Sequence, residues 1–79
     1  MSTNNPKLTK KNICGDNIRC LRVIKRISQQ DLSDKLGALG VVMCRGSISR
    51  VEKGTRIIMD IELYGISIAL DTNVDALFP

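Results

Sequence analysis

The chain has 79 residues, 12 of them Lys or Arg against 8 Asp or Glu, a net charge of +4 and no His. That length makes one small domain, and a 43% hydrophobic content with a single Tyr and a single Phe demands an aliphatic core. Without His the commonest general base is absent, and Cys14, Cys20 and Cys44 form no CxxC pair, so neither an enzyme, a metal centre nor a cofactor is expected.

No apolar run approaches the ~20 residues of a membrane span. The cysteines read as small apolar side chains in a reducing cytoplasm. The surplus of positive charge points towards phosphate, and so towards nucleic acid.

The opening "MSTNNPKLTKK" has no hydrophobic signal core. Residues 1–11 read as a flexible basic arm whose Lys7, Lys10 and Lys11 could brush a phosphate backbone, and residues 12–79 as one domain. The first predicted helix covers residues 16–26, with Gly15 and Asp16 as punctuation and Ile18, Leu21 and Ile24 at helical spacing. The second lies in "SQQDLSDKL". Ser28 is its N-cap, Asp31 completes a capping box, Leu32 and Leu36 sit one turn apart, and Gly37 stops it. Then comes "GALGVVMC". Val41, Val42 and Met43 could pass for a strand, but nothing offers them a partner, so a long apolar turn laid on the bundle is the better reading.

The third helix lies within "RGSISRVEK" and ends at Gly54. At about 100° per residue, Cys44, Ile48 and Val51 share one side, and Gly46, Ser49 and Lys53 point the other way. Arg45 and Arg50 flank that outer face, and Glu52 borders the apolar side. Small residues at the centre with multi-donor cations at the flanks suit a groove-reading helix, since Arg pairs with guanine O6 and N7. An ordinary solvated basic face would look the same on the wheel alone. A fourth helix follows Asp60 through "IELYGISIAL", and a short fifth, "VDALF", follows Asn73 as N-cap. Leu63, Ile66 and Leu70 share the core face of the fourth. Ile61, Tyr64 and Ile68 lie on another side, which either forms an interface between two copies or packs under Ile57, Ile58 and Met59. Asp31, Asp34 and Glu62 read as ordinary surface carboxylates.

"IRCLRVIKRISQQDLSDKL" followed by "SISRVEKG" and "DIELYGISIALDTNVDALF" resembles the Cro/repressor-type, or XRE-like, helix-turn-helix regulators of bacteria and phages. The resemblance implies an all-α, five-helix lambda-repressor-like domain that binds double-stranded DNA as a transcriptional regulator, most simply a cytoplasmic, nucleoid-associated repressor. It implies a homodimer on an inverted-repeat operator. It places Arg45, Gly46, Ser47, Ser49 and Arg50 on bases, and Gln29, Lys53, Thr55 and Arg56 on phosphates. It makes Arg22 and Glu52 a structural salt bridge. The link between the second and third helices is longer than the family's usual one, as in some members with an apolar turn before the recognition helix. The competing class is a protein-interaction module on the same fold, antitoxin-like or an adapter. The carboxylate-free basic face of the third helix favours DNA.

Overall fold

A computed structural model describes residues 9–79; residues 1–8, with Lys7 and most of the expected arm, lie outside the described residues. Among the described residues there are four α-helices, no strand and one 3-10 turn. The helices are α1 (Gly15–Ile24), α2 (Gln29–Ala38), α3 (Arg45–Lys53) and α4 (Asp60–Ala69), and the turn is Val74–Leu77. The expected fifth helix is thus a single 3-10 turn. Asn73 caps it as expected, its Oδ1 accepting from Ala76 N at 3.0 Å, but four residues are too few for a run of i to i−4 bonds.

α2 begins as its sequence prescribes. Ser28 Oγ accepts from Asp31 N at 2.9 Å, and Asp31 Oδ2 accepts from Ser28 N at 3.2 Å, which satisfies two of the free donors at the helix start. The helix does not stop at Gly37. It continues to Ala38, and the reversal falls at Gly40, whose φ of +83° is open to glycine at little cost. α1 starts at Gly15 and is capped from outside, by Asn12 Oδ1 accepting from Cys14 N and Gly15 N.

Ile18, Leu32, Leu36, Ile48, Val51, Ile66, Leu70 and Leu77 are almost completely buried and form one aliphatic core. α3 packs on both α1 and α2, α4 packs on α2, and the 3-10 turn bridges α1 and α4. Each helix therefore contributes only its apolar stripe, which is how a chain this short builds a core. Ile24 departs from its expected place: it is 73% exposed, because α1 ends there and Arg26, at φ 58°, turns the chain towards α2. Ile27 covers the core instead.

The long link, residues 39–44, divides in two. Met43 is buried and Val41 packs on the core over Gly65, whereas Leu39 is exposed and Val42 is 91% exposed. Ser33 of α2 fastens the link by donating to Met43 O at 2.7 Å. Only half of the apolar turn is laid against the bundle.

Candidate nucleic-acid interface

α3 is anchored by Ile48 and Val51 and turns its other side outward. Arg45, Gly46, Arg50 and Lys53 are exposed, and Ser47 and Ser49 are half-exposed. Its one carboxylate, Glu52, faces in. Among the described residues the side chains of Arg45, Ser49 and Lys53 have no hydrogen-bond or ion-pair partner. The outer face therefore offers cations and a hydroxyl with no acid beside them on the helix, a surface that attracts phosphate and can donate to base edges.

Cys44 is not where the helical wheel puts it. The wheel counts it with Ile48 and Val51, but its φ of −72° and ψ of 163° are extended, so it precedes the helix. It is exposed and serves as N-cap, with Sγ accepting from Ser47 N at 3.4 Å. Met43 takes the buried place. Hydrogen bonds from the Ser47 hydroxyl and Ser47 N–H are the leading causes that push the Cys44 thiol down to about 7; the positive charge of Arg50 adds to them.

The inner border of α3 is built around Glu52. Arg22 Nε donates to Glu52 Oε2 at 2.7 Å and Arg22 Nη2 to Oε1 at 3.0 Å, a two-pronged pair joining α1 to α3. Arg22 Nη1 donates to Ile27 O at 2.9 Å. Gln29 Nε2 also donates to Glu52 Oε1, at 3.1 Å. Gln29, placed on phosphate by the sequence resemblance, is therefore not wholly free: one amide N–H is held by Glu52 and the other remains. It stands at the first helical position of α2, where backbone N–H groups also point outward.

In the turn after α3, two residues expected on phosphate have partners within the fold. Arg56 closes on Glu62 with Nη1 to Oε1 and Nη2 to Oε2 both at 2.9 Å, and Nη1 also donates to Ile57 O. Glu62 is no surface carboxylate: it is 3% exposed and also accepts from Met59 N at 3.0 Å, which caps α4. The Arg56 guanidinium holds the Glu62 carboxyl below its ordinary range. Arg56, expected on phosphate, is therefore already engaged within the fold by Glu62 and Ile57 O. Thr55 directs both its hydroxyl and its N–H to Arg50 O, closing the end of α3. Lys53 is left as the free cation of this turn among the described residues.

Asn12 went unnoticed in the sequence. Its Nδ2 donates to Val51 O at 3.0 Å and to Arg56 O at 2.8 Å while Oδ1 caps α1. One side chain thereby ties the start of α1 to the end of α3 and to the turn beyond. The signal was an Asn two and three residues before the first helical positions, the spacing of an Asx turn. Gly15 shares the joint: a Cβ there would collide with Val51 O. Lys10 pairs with Asp16 at 3.4 Å on the surface, and Lys11 N donates to Gly54 O at 2.8 Å.

Ile61, Tyr64 and Ile68 are all about half exposed, with Ile57 and Met59 exposed beside them. Of residues 57–59, Ile58 turns to the core. Among the described residues no three His, Cys, Asp or Glu side chains gather into a metal site, and no helix is long and apolar enough to cross a membrane.

No family model and no curated protein matches the sequence. Among solved structures the chain is similar to the restriction-modification controller protein C.AhdI from Aeromonas hydrophila. The TM-score is 0.73 at 29% identity, over 82% of this chain and 91% of that one. In fold, as in sequence pattern, the chain therefore resembles the Cro/repressor-type helix-turn-helix regulators.

Proposed function

We propose that this protein is a sequence-specific DNA-binding transcriptional regulator that lays α3 in the major groove. The observation that carries the reading is the exposed, carboxylate-free face of Arg45, Ser49, Arg50 and Lys53 on a helix held firmly from behind. The likeness to a restriction-modification controller supports it. Arg45, Arg50 and Ser49 read base edges. Lys53 and the α2 N-terminus, with the second amide N–H of Gln29, hold phosphates on either side. By occupying a promoter the cytoplasmic protein acts as a repressor.

One such face makes few contacts, and a second copy doubles them on an inverted repeat. The half-exposed Ile61, Tyr64 and Ile68 supply an apolar strip for that pairing. Ile68→Lys is expected to give a monomer by sedimentation at tens of micromolar. A parent chain that is itself monomeric there removes the dimer from the reading.

The deciding experiment is selection of bound duplexes from a random pool. An enriched inverted repeat is the expected result. On the enriched duplex Arg50→Ala is expected to weaken binding about tenfold or more, against a small loss on a scrambled duplex. Lys53→Ala is expected to weaken both alike and to flatten the salt dependence. A pool with no enrichment overturns DNA reading and favours a protein-interaction module.

A further inference from the structure

The leading edge of α3 holds a chain of three surface side chains. Arg50 Nη2 donates to Ser47 Oγ at 3.3 Å, and Ser47 Oγ stands 3.3 Å from Cys44 Sγ. Residues 47 and 50 are one turn apart on the same surface, so the long Arg side chain lies back along the helix. It passes over residue 46, where a Cβ would stand 3.4 Å from Arg50 Nη1. That distance is an ordinary contact, so the arrangement does not depend on a glycine at this position.

We propose that Ser47 and Cys44 are positioning residues that set the Arg50 guanidinium in place before it meets a base. The inference rests on the DNA-binding reading above and deepens it. It gives Ser47, first placed on bases, a different task. The hydroxyl of Ser47 has one proton and two lone pairs. Directed to Sγ, the proton leaves a lone pair aimed at Arg50, and the two bonds reinforce each other. Whenever the sulfur is a thiolate it accepts and cannot donate, and the bond then runs in that order. An Arg already held in one arrangement loses less freedom on binding than one that must first be ordered. A wrong base gains nothing from the arrangement, so the effect appears as discrimination.

The test uses the whole chain, the duplex enriched from the random pool and its scrambled counterpart. Ser47→Ala keeps the backbone cap on Cys44 and removes only the seat. It is expected to lose about tenfold on the enriched duplex and less than about twofold on the scrambled one, at an unchanged melting temperature. Cys44→Ala is expected to share part of that selective loss, and Cys44→Ser, which keeps an acceptor, to restore it. In the free protein, NMR of the Arg50 side chain is expected to show slow rotation about Nε–Cζ in the parent and fast rotation in Ser47→Ala. Equal losses on both duplexes, no loss on either, or an Arg50 signal indifferent to Ser47→Ala overturns the positioning role. A Cys44→Ala variant with full discrimination removes Cys44 from it. A pool that enriches nothing overturns the DNA reading itself, a failure told apart because the Arg50 signal needs no DNA.

Discussion

The two ends of α3 are held very differently. At its C-terminal end Glu52 takes Arg22 and Gln29, Asn12 reaches Val51 O and Arg56 O, Lys11 N meets Gly54 O, and Arg56 locks on Glu62 just beyond. At its N-terminal end the main polar ties are a sulfur cap and the Ser33 bond to the preceding link. The residues proposed to hold phosphate lie at the strapped end, and Arg45 stands at the lightly tied one. A helix tied this way keeps one fixed register on the bundle while its leading edge is governed by local side chains. Changes at the strapped end should then act through folding and weaken every duplex alike. Changes at the leading edge should alter sequence preference at little cost in stability.

The largest expected effect lies at the hub. Glu52→Ala leaves the largely buried Arg22 guanidinium without its partner and Gln29 without its acceptor, and should cost about 3 kcal/mol. Thermal or urea denaturation reads this directly, and a loss below about 1 kcal/mol would show that the C-terminal strap is not what holds α3. Asn12→Ala comes next. It frees two carbonyls of the α3 joint and uncaps α1, for a loss of about 2 kcal/mol. Binding to enriched and scrambled duplexes at a temperature where the variant is folded should fall little and equally.

Ser33→Ala probes the other end. It removes the 2.7 Å bond to Met43 O and should cost about 1 kcal/mol, less than either change at the strap. Its mark should be a changed ranking of selected sequences, since the link it fastens leads into Arg45. A variant as damaged as Glu52→Ala, with preference unaltered, would erase the contrast between the ends.

Where the sequence was legible, a local rule acted alone. The capping box of Ser28 and Asp31 needs only spacing, and Ile18, Leu32, Leu36, Ile48 and Val51 needed only the helical period. The period misled at helix ends. Cys44 lies where dihedrals are not yet helical, so its angle on a wheel has no meaning. Ile24 continues the stripe of α1 past the point where another helix lies beneath it. The Arg22–Glu52 pair was reached through family resemblance, helped by the position of Glu52 beside the buried stripe. Glu62 could not be read at all. Whether a Glu in the first turn of a helix faces water or a guanidinium six residues back depends on how the intervening segment, residues 57–59, folds over, and no spacing encodes that.

The smallest expected effect is the dependence of stability on pH at the leading edge. In the folded chain Cys44 ionises at about 7, below its ordinary value of 9.0, because Ser47 donates to the sulfur and Arg50 lies close. A depressed value means that the native state favours the thiolate. The resulting stabilisation is present above the ordinary value and is lost as pH falls through about 7. The parent should therefore gain stability between neutral and mildly alkaline pH relative to Cys44→Ser, which has nothing to ionise there. Taking the difference between the two removes the opposing contribution of Cys14, whose thiol burial pushes up and which both chains share. The thiol is exposed, so the difference should be small and should shrink with added salt. Parallel melting curves across this range would mean that the sulfur caps α3 equally well as thiol or thiolate. A difference of the opposite sign would mean that the thiolate is repelled at this end of the helix, and the Ser47–Arg50 arrangement would then have to stand without it.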